Sequence, residues 1–265
     1  MQNTHNMTLR ILGARGSIPV NGKETAQFGG STSCYQIEAC GQTIFLDAGT
    51  GLINARPEND RISILLSHTH IDHLLGLPFF APMFSGQAEI DIYGAKRGDL
   101  TVKEQVERFL SPPLWACTIE AYPAKVNFID AVYPMQLGEV EIEELSGNHP
   151  GGASILKLSL DSVSVVYASD YEHTPGKQRE LAEFAKGAAL ILYDGQYTEE
   201  EYLKRKGFGH STVSEGLRLF AESGAKRLVF VHHDPFHSDV MLTNQEKELT
   251  AAGVSFAREG EIITL

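Results

Sequence analysis

Positive charge is scarce in this sequence: 22 lysines and arginines stand against 34 aspartates and glutamates, a formal net charge of −12. A protein that works on long polyanions usually carries a basic face, and the chain has no lysine- or arginine-rich run. Long nucleic acid is therefore not the expected partner. A small anionic substrate is still admissible, because bound divalent cations reverse the sign of a site locally. Cysteine is scarce too. Cys34, Cys40 and Cys117 make no disulfide framework and suit a reducing compartment. No stretch approaches the roughly 18 consecutive apolar residues of a membrane span. The opening MQNTHNMTLRILG lacks the charged-then-apolar order of a secretory leader. A cytoplasmic protein without membrane contact is expected. Low-complexity tracts, fixed-period repeats and linkers are missing as well, so residues 1–265 are expected to form one domain.

What the sequence does contain is a series of short apolar segments that read as strands: 9–13, 34–39, 43–49, 61–67 and 89–94, then 140–146, 154–160, 164–169, 189–194 and 227–232, with a last one near Ile262. EACGQT reads as a hairpin turn between two of them. Helical periodicity covers 101–110, 177–186 and 212–223. The last of these opens with Thr212-x-x-Glu215, a capping-box pattern, and is followed by Gly224. Early strands come in hairpin style and later ones alternate with helices. This predicts an α/β (α+β) protein with two packed sheets and helices outside, a four-layer αββα sandwich.

The densest chemistry lies in LLSHTHIDHLLGLP, Leu65 to Pro78. An apolar strand delivers His68, His70, Asp72 and His73 into a loop, which is anchored at one end and open to a ligand. Side chains at i and i+2 of extended backbone point the same way, so His68 and His70 can converge on one ion. Asp72 and His73, beyond the bend, can serve a second. Imidazole and carboxylate donors suit zinc, manganese or iron. A lone loop histidine is ordinarily just solvated; four candidate ligands at this spacing are a different matter.

His-x-His-x-Asp-His after an apolar strand resembles the signature of the metallo-β-lactamase fold. The pattern of that family continues with a histidine, an aspartate and a final histidine at successive strand ends. LSGNHPGG supplies His149, VVYASDYEH supplies Asp170, and LVFVHHDP supplies His232 or His233. The resemblance runs from about Leu9 to Leu265 and implies the αββα metallo-β-lactamase sandwich with two divalent metal ions. Zinc is expected, and manganese or iron suit the same ligands. It implies one ion on His68, His70 and His149, a second on Asp72, His73 and His232, and Asp170 between them. Asp47 in FLDAG would orient the ligand loop rather than bind metal. Two cations roughly 3.5–4 Å apart stabilise both the attacking and the leaving oxygen of a phosphodiester, and a water between them loses its proton near neutral pH.

GFGHSTVSEGLRLFAESGAKRLVFVHHDP resembles the Gly-His-Ser-Thr segment, helix and final histidine of ribonuclease Z-like phosphodiesterases. ALILYDGQYTEEEY resembles the acidic segment before it, with Asp194 in the place of a glutamate. That resemblance implies His210 and Asp194 as a general-acid dyad, with Asp72 also among the catalytic residues. The carboxylate would fix the tautomer and orientation of the imidazole. A plain helix-entry residue and a plain turn residue are the alternatives for His210 and Asp194. ILGARGSIP resembles the glycine-rich turn near the metals in this branch. His233, His237 and Asp239 are expected at the mouth of the site as substrate contacts.

The long Gly/Pro/Lys-rich arm with which ribonuclease Z grips tRNA has no counterpart between His73 and His149. A compact apolar insert stands there instead (Phe109, Leu110, Pro112, Leu114, Trp115, Tyr122), following the apolar run with Phe79 and Phe80. It reads as a core patch or lid, a wall that stacks a base, or the contact of a homodimer. The expected function is hydrolysis of a small phosphodiester such as a cyclic nucleotide, as in the anti-Pycsar phosphodiesterases, whose core motifs are similar. The alternatives are hydrolysis of another ester, lactone or lactam on the same metals, tRNA 3′ processing without the usual arm, and a metal-keeping protein with no catalysis.

Overall fold

The computed structural model describes residues 7–265; the first six, on which part of the no-leader expectation rests, lie outside the described residues. The first half of the chain contributes β1 (Thr8–Gly13), β2 (Cys34–Ala39), β3 (Gln42–Leu46), β4 (Arg61–Leu66), β5 (Glu89–Gly94), helix α1 (Val102–Glu107) and β6 (Lys125–Asp130). The second half contributes β7 (Met135–Leu137), β8 (Val140–Gly147), β9 (Ala153–Leu160), β10 (Val163–Ala168), α2 (Pro175–Phe184), β11 (Leu190–Asp194), α3 (Glu199–Arg205), α4 (Val213–Ser223), β12 (Leu228–Val231), α5 (Asp239–Glu248), β13 (Val254–Phe256) and β14 (Ile262–Thr264). Among the described residues, no helix is long and apolar enough to cross a membrane.

Two seven-stranded sheets result, in the orders β14-β1-β2-β3-β4-β5-β6 and β13-β12-β11-β10-β9-β8-β7. Each is antiparallel on one side and parallel on the other: β1, β2 and β3 pair antiparallel and β3 to β6 parallel, while β7 to β10 pair antiparallel and β10 to β13 parallel. The β4 segment RISILL is apolar without alternation because it is covered on both faces, as interior parallel strands are. One apolar cluster fills the space between the sheets, with Leu9, Tyr35, Ile37 and Leu65 meeting Ile142, Leu156, Tyr167 and Val229. A second covers the outer face of the first sheet beneath α1 and short 3-10 turns (Phe45, Ile64, Phe80, Val106, Leu110). A third lies under the helices on the other sheet (Val166, Ile191, Leu219, Phe230). These are the four expected layers.

The expected strands form. β6, β7 and β13 also form, without having been read from the sequence. KVNFID alternates only weakly, and MQL and VSF are three residues long. Two helices were missed. α3 carried a legible start, because Thr198 accepts from the Glu201 amide at 3.3 Å while the Glu201 carboxylate caps Thr198 in return. At α4 only half of the expected box forms: Thr212 Oγ1 accepts from the Glu215 amide at 3.4 Å. The apolar insert and the run before it are partly core, with Leu110 buried, and partly surface, with Phe79 57% and Leu114 66% exposed.

β3, β4, β8, β10, β11 and β12 end on the same edge of the sandwich. β3 and β4 are parallel, and β8 runs with β10 because each is antiparallel to β9. Ligand sites in α/β sheets gather beyond such carboxyl ends.

Candidate metal centre

Six strand ends deliver the site. Asp47 follows β3, Ser67 to His73 follow β4, His149 follows β8, Asp170 follows β10, Asp194 closes β11 and His232 follows β12. Three of these, Asp47, Asp170 and His232, take left-handed backbone at φ 60°, 55° and 61°. Non-glycine residues rarely hold that conformation, and where they do the surroundings enforce it, often at functional sites.

Asp47 is fully buried and organises the loop after β4. Its carboxylate accepts from the Ser67 amide at 2.7 Å, Ser67 Oγ at 2.8 Å, His73 Nδ1 at 2.7 Å and, from the opposite sheet, Tyr167 Oη at 2.6 Å. With its own hydrogen given to Asp47, Ser67 Oγ receives His68 Nδ1 at 3.0 Å. His149 Nδ1 donates to the Gly209 carbonyl at 2.9 Å, and His232 Nδ1 to Gln196 Oε1 at 3.0 Å. Four imidazoles are thus anchored through Nδ1 and present Nε2 inward, the arrangement that orients metal-binding histidines. His70 turns its Nδ1 inward instead, 3.0 Å from His149 Nε2.

The inward atoms form two groups of four, with a third set of three, Asp194, His210 and His232, beside them. One atom each from His68, His70, His149 and Asp170 lie within 4.8 Å of one another, and so do those of Asp72, His73, Asp170 and His232. Asp170 joins them: Oδ1 is 3.8 Å from both His68 Nε2 and His149 Nε2, while Oδ2 is 3.1 Å from His73 Nε2. His232 Nε2 lies 3.3 Å from Asp170 Oδ1 and 3.2 Å from Asp72 Oδ2.

The chemistry of this donor set fits divalent cations. Buried His68 Nε2 has no hydrogen-bond partner, an uncommon and costly state for a buried polar atom. Burial, with the neighbouring His73 for His68, pushes His68, His70 and His149 below the ordinary histidine range, so that they offer the neutral imidazoles that metals require. The second group sets two carboxylates against two histidines, His73 and His232, whose proton affinity the carboxylates raise. Burial raises the Asp170 carboxyl, but the facing His232, His73 and His68 outweigh it and hold Asp170 well below the carboxylate range. Burial lowers His232, yet Asp170 and Asp72 lift it to about 9. The carboxylates here call for positive charge.

The dyad residues lie beside these groups. His210 Nδ1 sits 2.8 Å from Asp194 Oδ2, and its ring stacks on His232 with centroids 4.8 Å apart. His210 is 8% exposed and borders a cavity of about 230 Å³ together with Ser17, His70, Asp72, Asp170 and His232. Asp194 is itself tied down, accepting from the amides of Tyr171, Gln196 and Ser211 at 3.3, 3.1 and 3.4 Å.

The expected mouth residues are elsewhere. His233 is buried between Phe28 and Phe256, with Nε2 on the Ala257 carbonyl at 2.9 Å, and burial lowers it to about 3. Consecutive residues leaving a strand face opposite sides, so only His232 turns to the cluster. His237 is 2% exposed and pairs with Glu201 at 3.0 Å, fixing the loop after β12 to α3. Asp239 accepts from the Gln27 and Phe28 amides at 2.9 and 3.1 Å. These three hold loops in place rather than facing the cluster.

Other supporting residues carried no motif. Gln196 links His232 to Ser17 Oγ at 3.2 Å, and the Ser17 amide donates to Asp72 Oδ2 at 2.8 Å. The glycine-rich turn is therefore at the site, and Gly16 is obligatory there: a Cβ would stand 2.2 Å from His232 Nδ1. Buried Arg15 clamps the same turn to the carbonyls of Gly29, Asp234 and His237. Glu172 accepts from the Gly207 and Gly209 amides, at 2.9 and 3.0 Å, and so holds the loop whose carbonyl orients His149. At Gly209, φ is +92° and a Cβ would approach His149 Nδ1 to 2.1 Å. Gly209→Ala should therefore weaken metal binding by roughly 10- to 100-fold, the usual cost of disturbing a ligand's outer partner. Chelator competition measures this, and an unchanged affinity would contradict the orienting role.

The profile of the beta-lactamase superfamily domain matches residues 42–233. A ribonuclease Z of Porphyromonas gingivalis is 26% identical over 234 residues, 68% of this chain and 73% of its own. Among solved structures, the metallo-beta-lactamase fold protein YhfI from Bacillus subtilis superposes with a TM-score of 0.74 at 21% identity, covering 99% of this chain and 100% of that one. A diphosphatase from the PhnP family gives 0.69 at 18% identity, covering 98% and 97%. The chain therefore belongs to the beta-lactamase superfamily, as a metallo-β-lactamase-fold hydrolase related to ribonuclease Z.

Proposed function

We propose that the protein is a dinuclear phosphodiesterase acting on a small phosphodiester, cyclic nucleotides among them. The observation that carries this reading is the His210–Asp194 pair opening on the same cavity as Asp72, Asp170 and His232. His68, His70, His149 and Asp170 would hold one divalent ion, zinc in first place, and Asp72, His73, Asp170 and His232 the other. When bound, the ions supply charge for the phosphate oxygens and an acidified water. The chain's own part is to orient and to move a proton. Asp194 fixes His210 through Nδ1 and leaves Nε2 for the cavity, in place to protonate a departing ester oxygen. Burial of the cluster keeps these interactions strong by limiting competing water. Ester, lactone or lactam hydrolysis would not call for a histidine–aspartate donor beside the metals.

tRNA 3′ processing is the second reading, and the ribonuclease Z relatives favour it. The net charge of −12 and the compact insert favour a small substrate. A panel of bis(p-nitrophenyl) phosphate, 2′,3′- and 3′,5′-cyclic nucleotides and a precursor tRNA separates the two. Metal-dependent turnover of the small diesters with an uncut precursor is the expected result. Cleavage of the precursor alone would establish the second reading, and turnover of esters or lactams alone would defeat both.

A further inference from the structure

A second cavity, of about 290 Å³, adjoins the candidate metal groups and is lined by His68 and His70 but not by His210. His70 borders both cavities, so they meet at that side chain. The floor of the second is the ligand loop at His68 and Thr69, and its walls are α1 and the loops after β5 and β8. Two guanidinium groups, Arg97 and Arg108, line it together with Phe109, and no carboxylate does. In a chain of net charge −12 this is an electropositive island at the edge of the site.

The two arginines differ in how they are held. Arg97 is fixed from behind, where Nη2 donates to the Ser67 carbonyl at 3.0 Å and to Ser154 Oγ at 2.9 Å. Its Nε is buried without a partner. Glu144 stands behind Ser154, which donates to it at 2.6 Å, and is not part of the lining. Arg108, just past the end of α1, is exposed and makes no side-chain ion pair or hydrogen bond among the described residues; Glu104, one turn back, is the carboxylate that feels its charge. Gln105, between them, is used up: Nε2 donates to the Ala95 and Leu100 carbonyls at 3.0 and 3.1 Å. The cavity thus offers unspent donors of one sign beside an aromatic ring, the combination that recognises a phosphate next to a flat group.

We infer that this cavity binds a second phosphate of the substrate, on the arm that keeps the scissile phosphate, with Arg108 and Arg97 as its recognition pair. The inference rests on the phosphodiesterase reading and narrows it. The preferred substrate is a nucleotide diester carrying a further phosphate, because a simple cyclic mononucleotide leaves the arginines unmatched. His210 borders the other cavity, so the proton donor and the arginines act on different parts of the substrate.

Binding tests this without turnover. With the protein as purified, metal included, calorimetry is run with adenosine 5′-monophosphate and adenosine 3′,5′-bisphosphate. The bisphosphate should bind ~10- to 100-fold more tightly, as expected for charge-assisted bonds to one added phosphate. Arg108→Gln should erase the preference and Arg108→Lys should keep part of it. Arg108 lies outside the core, so both variants should keep the melting temperature of the parent protein. Equal affinities in the unaltered protein, or an undiminished preference in Arg108→Gln, would overturn the inference. A bisphosphate preference in a protein that hydrolyses no diester would leave the cavity assigned and discard the proposed reaction.

Discussion

Asp170→Asn should lose about 10³-fold or more in kcat/KM on any diester that the unaltered protein hydrolyses, together with part of its bound metal. The amide has nearly the shape of the carboxylate but not its charge, and Asp170 is the one residue common to both donor groups. Its oxygens reach His73 at 3.1 Å and His232 at 3.3 Å on one side, and His68 and His149 at 3.8 Å on the other. Metal-ion stabilisation in such sites is worth several kcal/mol, and each 1.36 kcal/mol is tenfold in rate. Metal content per chain and steady-state kinetics on one preparation check the prediction. Full metal with activity within tenfold of the parent would show that Asp170 is not the shared ligand.

His210→Ala should behave differently: metal retained, rate reduced ~10²- to 10⁴-fold, in the range of general acid–base contributions. The loss should depend on the leaving group. A p-nitrophenolate departs with little help, whereas a nucleoside alkoxide needs the proton, so the second substrate should suffer more. Asp194→Asn should fall in the same direction, since the amide cannot hold the imidazole in one tautomer. The double variant should be little worse than His210→Ala alone, because residues acting as a unit do not add. Equal losses on both leaving groups would leave His210 a role in shaping the cavity, not in proton transfer.

The candidate donor cluster is legible in the sequence because its spacing is local. Four lie within six residues, and the others follow strands whose apolar runs mark them. The pair His232 and His233 was resolvable only through the motif; the structure supplies the reason, a left-handed turn at His232 that sends its neighbour into the core. For His237 and Asp239, nearness to His232 in the chain does not bring contact with the cluster. Both are consumed by contacts to Glu201 and to the Gln27–Phe28 backbone, which lie at least 36 positions away in sequence. Tyr167, Gln196 and Glu172 were silent for the same reason: each acts through a partner far along the chain, and nothing in its own neighbourhood marks it. The short strands β7 and β13 hold too few residues for a period to show.

The donor groups are also split evenly between the two sheets. His68 and His70 from the first sheet meet His149 and Asp170 from the second, and Asp72 and His73 meet Asp170 and His232 in the same way. An ion held by either group would therefore act as a rivet between two plates, and Asp47 with Tyr167 is a hydrogen-bonded stitch beside it. A small slip of one plate against the other, caused by repacking a leucine far from the site, changes both coordination spheres at once. Metal occupancy in this fold becomes a gauge of how the whole sandwich is seated, and core variants with normal melting curves would still register as changes in metal demand.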